Sequence, residues 1–232
     1  MSPVNEFEKN WQRIKEFFGK PEIEPWKVLP WEAALLKRLD ANNPDDIERY
    51  RHIDADPEAL KWMEGDIMTK EEILENFSDE NQLLCGVCGE KSKGKIEGWV
   101  QLYDTETERI NRLINRGLAD FSKDTQVLEI SYARYVDPDL PKENQERGLI
   151  PSAIRQICFS LIKDRKNIAI TAFTNPKNLL SEGVLKNAGF IIRGKIFYDE
   201  NSPEEDNFWT LDENKLKEIL EKKKSEHVKF AN

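Results

Sequence analysis

The run from Ile168 to Phe190 constrains this chain more than any other stretch. Ile168–Phe173 is apolar, with charged residues before it and a turn after it. Asn175-Pro176 follows, and proline suits the first turn of a helix because its missing N–H would have no partner there. Leu180, Val184, Leu185 and Ala188 then recur at the spacing of one helical face. Gly189 ends that helix and Phe190 returns the chain to the core. The pattern predicts a strand, a helix over Asn175–Ala188 and a second strand, and so an α/β architecture.

The rest of the chain extends this pattern. Phe7, Trp11, Ile14 and Phe18 follow helical spacing, and Pro30 with Leu35, Leu36 and Leu39 predicts a second helix. Residues 1–46 thus read as a helical extension, closed by a short linker at Asp40–Asp46. The expected division is an extension over 1–46 and one domain over 47–232. The extension either adds packing around the core or shapes a partner or substrate site. Ile47–Ile53 reads as the first strand. Asp56-Pro57 and the box Thr69-Lys70-Glu71-Glu72 each start a helix. Gln82–Gly89 and Lys95–Tyr103 predict a hairpin, and Thr105-Glu106-Thr107-Glu108 a capping box opening a helix that Gly117 stops.

Val127–Val136 reads as a central strand buried on both faces. Pro151 starts the cleanest amphipathic helix, with Ile154, Ile157, Cys158, Leu161 and Ile162 on one face. Phe190–Tyr198 and Phe208–Leu211 predict a last strand pair, and Asn214–Lys224 a terminal helix. The expected fold is a mixed sheet flanked by helices.

Composition excludes several functions. The chain has 232 residues, six Trp, eleven Phe and a net charge of −9, enough apolar material for one sizeable core. Such acidity does not suit general phosphate-backbone binding, so nucleic acid is not expected as a partner. No run of about 18 apolar residues exists, so no membrane partner is expected. The N-terminus lacks the apolar core of a signal peptide, and three Cys fit a reducing, cytoplasmic setting. Cys85-Gly-Val-Cys88 is a CxxC, yet residues three apart on a strand face opposite ways, and zinc needs about four ligands. Buried strand cysteines are the reading, with no metal expected. Only His52 and His227 are present, which disfavours a histidine-based triad. No GxxxxGK[ST] occurs, against a nucleotide-hydrolysing site.

A second motif, Gln145-Glu146-Arg147-Gly148-Leu149-Ile150, runs directly into the helix from Pro151. Helix N-termini offer free N–H groups and positive potential to an anion, and glycine lets the backbone approach it closely. Arg147 can add a charge-assisted bond. This motif lies between Val127–Val136 and Ile168–Phe173. With Asn178, Ser181 and Gly189-Phe190 downstream, it resembles the signatures of the GNAT superfamily of N-acyltransferases, and within it the branch that acetylates protein N-termini and related amines. The resemblance covers about Val127–Phe190; upstream it rests on element order. The family has Gly or Ala where Ile150 stands, so this side chain must turn away from the ligand, and Pro151 removes one donor.

The resemblance implies a GNAT-like mixed, mostly antiparallel sheet and an N-acetyltransferase acting by direct attack in a ternary complex. Acetyl-CoA is the implied cosubstrate, lying where the Val127–Val136 and Ile168–Phe173 strands splay. Gln145, Arg147, Gly148, Leu149, Ile150 and Ser152 would hold the pyrophosphate. Backbone groups of Arg134, Tyr135 and Val136 would polarise the thioester carbonyl, and Asn178 and Ser181 would meet the pantetheine arm. Relatives often carry a Tyr acid where Leu185 stands, so Ser181 is the candidate donor to the leaving thiolate.

Glu129 is the candidate base, a charged residue inside an apolar strand where desolvation favours the neutral acid; it could instead pair with an arginine or lie at a sheet edge. Glu97 is the reserve. The acceptor is an amine on a small molecule or a protein, and the acidic balance suits a cationic one such as a polyamine, lysine or aminoglycoside. A homodimer is compatible with this reading. The competing readings are a non-catalytic acyl-CoA sensor and a protein-interaction module on the same fold.

Overall fold

The computed structural model describes residues 27–62, 67–79, 82–92, 95–135, 146–163, 167–198 and 204–231. The elements are β1 (Leu35–Arg38), α1 (Pro44–Asp54), α2 (Pro57–Leu60), α3 (Lys70–Ser78), β2 (Gln82–Cys88), β3 (Ile96–Asp104), α4 (Thr107–Asn115), β4 (Gln126–Arg134), α5 (Leu149–Lys163), β5 (Ile168–Thr174), α6 (Leu179–Ala188), β6 (Phe190–Phe197), β7 (Glu205–Leu211) and α7 (Glu213–Ala231). They form an α/β fold with a seven-strand mixed, mostly antiparallel sheet in the order β1-β2-β3-β4-β5-β7-β6, with flanking helices. Among the described residues no helix is long and apolar enough to cross a membrane. The chain divides into two compact units.

The first unit comprises residues 1–27, 33–103 and 131–150. β1 runs antiparallel to β2, and β2 antiparallel to β3 with a bulge at Val87/Cys88. Two expectations fail here. Leu35 and Leu36 lie on β1 rather than on a helix, because Leu35–Arg38 pairs with Arg38↔Cys85 to Leu35↔Cys88. Ile47–Ile53 lies within helix α1 rather than a strand. Asn43 caps that helix by accepting from the Asp45 N–H, Pro44 fits its first turn, and Asp45 and Asp46 favour the positive pole there. Ile47, Tyr50 and Ile53 then recur at helical spacing, and Tyr50 and Ile53 are fully buried. The Thr69–Glu72 capping box forms as expected. The core gathers Tyr50, Ile53, Ile73, Leu84, Cys88, Ile96 and Trp99, with Tyr50 stacked on Trp99 at 5.8 Å between ring centroids. The expected helix over Phe7–Phe18 lies outside the described residues.

The second unit comprises residues 28–32, 104–130 and 151–232. β4 runs parallel to β5 from Gln126↔Ile168 to Glu129↔Thr171, and β5, β7 and β6 continue antiparallel. Thr105 does not cap α4. Its N–H is held by the Val127 carbonyl, its hydroxyl lies 3.4 Å from that of Thr171, and Glu106 takes the cap position without a side-chain bond.

Helix α5 buries Ile154, Ile157, Cys158 and Leu161, the face its periodicity predicts. Arg155 on it grips Glu32 through two hydrogen bonds of 2.6 and 2.5 Å, and Gln156 Oε1 accepts from the Val28 and Leu29 N–H groups. α6 starts at Leu179, later than expected, because Asn175-Pro176-Lys177 is used as a turn; Leu180 is consequently 84% exposed instead of facing inward. Gly189, at φ +99°, ends α6 as expected. Phe190, Phe208 and Trp209 are fully buried, each contributing roughly 1.5–3 kcal/mol by leaving water.

Cys85, Cys88 and Cys158 are buried, and none of the three is in a disulfide. Burial pushes the Cys85 and Cys88 thiols up to about 12, so neither is a thiolate at neutral pH. Among the described residues no group of three or more His, Cys, Asp or Glu is placed to hold a metal ion.

Candidate active site

The candidate residues fall in both units, which are taken in turn. In the first, Gly148 precedes α5 with φ +72°, a conformation that L side chains avoid. Among the described residues, a Cβ built on it would meet nothing within 4 Å, so there its backbone faces open space. Arg147 beside it is exposed. Leu149 and Ile150 start the helix and are buried, and Pro151 occupies its third position. The Ile150 Cδ1 reaches within 2.7 Å of where a Gly98 Cβ would stand, so this side chain packs down onto β3 where Gly98 leaves room. The bulk that departs from the family pattern is therefore inside the core.

Arg134 ends β4 and Tyr135 follows it, both half-buried. The Arg134 guanidinium donates to the Glu146 carbonyl oxygen; burial lowers its pKa, against the opposing pull of Glu97 and Glu146. The Tyr135 N–H donates to the Glu97 carbonyl at 2.9 Å, so that donor is already engaged. Arg49 lies 4.7 Å over the Tyr135 ring. Glu97 is half-buried, and its carboxyl is raised above its ordinary value, first by burial, with Arg134 pulling down and Glu146 pushing up. Val136 and Gln145 lie outside the described residues.

In the second unit Glu129 is 3% exposed. Its carboxylate accepts from Arg109 Nη1 at 2.6 Å and from the Tyr198 hydroxyl at 3.1 Å. Arg109 is packed in turn, 3.7 Å over the Tyr198 ring and 5.5 Å over Phe173, with Nε donating to the Tyr198 carbonyl. Burial opposes the Arg109 charge, but Glu129 and Tyr198 outweigh it and its pKa is raised. Both carboxylate oxygens of Glu129 are thereby engaged. Arg109 and Tyr198 were not legible as site residues, although pairing of Glu129 with an arginine was one of the expected outcomes. Asn178 is the N-cap of α6, its Oδ1 accepting from the Ser181 N–H at 3.1 Å, and both residues are half-buried. Ser152 is fully buried within α5.

No family model matches the chain, and no curated protein matches it. Solved structures do match. An acetyltransferase of the GNAT family from Bacillus anthracis aligns over 79% of this chain and 96% of its own, at 14% identity and a TM-score of 0.57. The aminoglycoside acetyltransferase AAC(6')-Ib, with coenzyme A and kanamycin, aligns over 80% of this chain and 98% of its own, at 16% identity and a TM-score of 0.55. MccE, a self-immunity acetyltransferase with acetyl-CoA and AMP, aligns over 82% of this chain and 96% of its own, at 14% identity and a TM-score of 0.54. At these identities the likeness concerns architecture: the chain has the GNAT acetyltransferase fold.

Proposed function

We propose that the chain is an acetyl-CoA-dependent N-acetyltransferase. The observation that carries this reading is the Arg147-Gly148 turn. It is an exposed glycine of positive φ, with open space beside it and a cation next to it, at the start of a 15-residue helix in this fold. Free N–H groups and the helix dipole make that turn suited to a pyrophosphate, each favourable contact contributing roughly 0.3–1 kcal/mol. Gln145, Arg147, Gly148 and the backbone of Leu149 and Ile150 would hold it. Asn178 and Ser181 would meet the pantetheine arm, and backbone groups at Arg134 and Val136, rather than the engaged Tyr135 N–H, the thioester carbonyl.

In this reading the amine nitrogen attacks the acetyl carbonyl carbon. The C–N bond forms, the C–S bond breaks, and the sulfur leaves as a thiolate that accepts a hydrogen bond from the Ser181 hydroxyl and takes its proton from solvent. An amine near pKa 10 is neutral only about once in a thousand at pH 7, so a base must take its proton. Glu129 and Glu97 are the two carboxylates available. Glu97 suits the role better, being half-buried with a raised pKa, whereas Glu129 is held by Arg109 and Tyr198. The acceptor would be a cationic amine, small or at a protein N-terminus, in keeping with the net charge of −9.

That engagement of Glu129 favours a second reading, an acyl-CoA-binding protein without turnover. The test is isothermal titration with acetyl-CoA and with CoA, then thiol release across a panel of polyamines, aminoglycosides and peptides with free N-termini. Micromolar binding with turnover supports the enzyme. Binding without turnover on any amine supports the second reading. Absence of binding by folded protein sinks both.

A further inference from the structure

We infer that Glu146 is a positioning residue for the anion-facing turn at Arg147-Gly148, anchoring it to the turn between β2 and β3. The inference rests on the coenzyme-binding reading above. The Glu146 carboxylate accepts from two successive backbone N–H groups, Glu90 at 3.2 Å and Lys91. Successive N–H groups of a turn form a concavity suited to an anion, and bonds to a charged acceptor are about twice as strong as neutral ones. The receiving turn is itself closed by Ser92, whose hydroxyl accepts from the Gly89 N–H at 3.0 Å and donates to the Gly89 carbonyl at 2.8 Å. Lys27 pairs with Glu90 at 2.5 Å on the same turn. From the other side the Arg134 guanidinium holds the Glu146 carbonyl. Glu146 is thus fixed through both its side chain and its main chain.

Gly89 shows how close this fit is. A Cβ there would stand 2.6 Å from Glu146 Cδ and Oε2, and the three nearest atoms it would meet all belong to that carboxylate. The arrangement answers two needs of a phosphate-binding turn. Backbone that is ordered before the ligand arrives costs nothing to order on binding. A carboxylate two residues from Gly148 would also repel a pyrophosphate unless other groups answered its charge, and the Glu90 and Lys91 N–H groups do so.

The test compares CoA, by titration calorimetry, with S-acetylpantetheine, which lacks the pyrophosphate, by ligand-observed NMR. Glu146→Ala is expected to weaken CoA about tenfold and to leave S-acetylpantetheine within twofold. Glu146→Gln, which keeps an acceptor oxygen, should recover most of the loss. Gly89→Ala should reproduce the Glu146→Ala defect by displacing the carboxylate, and should add nothing to it in the double variant. Unchanged CoA affinity in Glu146→Ala, or equal loss of both ligands, overturns the inference. If wild-type protein binds no CoA at all, the coenzyme reading fails and the inference falls with it, a result distinct from either of those.

Discussion

Arg109 Nη1 donates to Glu129 Oε2 across 2.6 Å, and the two side chains are only 5% and 4% exposed. A carboxylate in this position is a lock before it is a base. It holds α4 to β4 and β6's end at Tyr198 through one guanidinium.

Glu129→Gln separates the two roles. Removing one charge strands Arg109 in the interior, and breaking a buried pair costs roughly 3–5 kcal/mol. The expected outcome is a loss of about 3 kcal/mol in urea unfolding, with acetyl-CoA affinity of the folded fraction unchanged. A variant as stable as wild type, but slow in acetyl transfer, would instead make Glu129 the base.

Glu97 gives a pH prediction. Its folded pKa is raised, chiefly by burial, so its base form appears only as pH climbs through a value above the ordinary 4.5. The rate kcat/KM should therefore fall on the acid side with that limb, and Glu97→Gln should abolish it. The sign for stability is the opposite of an ion-paired carboxylate. A raised folded pKa stabilises below 4.5 and loses that contribution as pH rises through the folded value. Glu97→Gln should match or exceed wild type in thermal unfolding near neutral pH and show no such advantage below 4.5.

How far the sequence reveals this molecule depends on how local the cause is. The β2–β3 hairpin, α5 and the β5–α6–β6 run were legible because periodicity, a cap or a glycine within a few residues decides each. Leu35–Arg38 was not, since a four-residue strand exists only through its pairing with β2. Ile47–Ile53 was misread because its β-branched ends outweighed the Asn43-Pro44 start. The site divides the same way. Gly148 before a helix can be read directly, while Arg109 reaches Glu129 from 20 residues away and Glu146 meets Lys91 across 55. Such partners follow from folding, not from spacing.

The open space at Gly148 makes charge the deciding variable there. Gly148→Asp and Gly148→Asn add side chains of nearly equal size, and both tolerate positive φ better than most residues. Only Asp brings a negative charge against a pyrophosphate. Calorimetry should show CoA weakened at least about tenfold by Asp, which is about 1.4 kcal/mol, and clearly less by Asn. Equal affinities in both variants would take this turn out of the coenzyme site.

Ile150 is the departure from the family motif that most invites repair, and its packing argues against repairing it. The side chain is 3% exposed and lies over Gly98, whose missing Cβ is what admits it; a Cβ there would also stand 2.6 Å from the Ala133 carbonyl oxygen. Ile150→Ala should cost about 2–4 kcal/mol of stability, since the hole left beneath α5 cannot close onto a β3 already in contact with β4. CoA affinity should stay within about twofold, because the contact offered to a phosphate at this position is backbone. Chemical unfolding and calorimetry on the same protein check both halves. A variant that keeps full stability and binds CoA much more tightly would mean that Ile150 faces the ligand rather than the core.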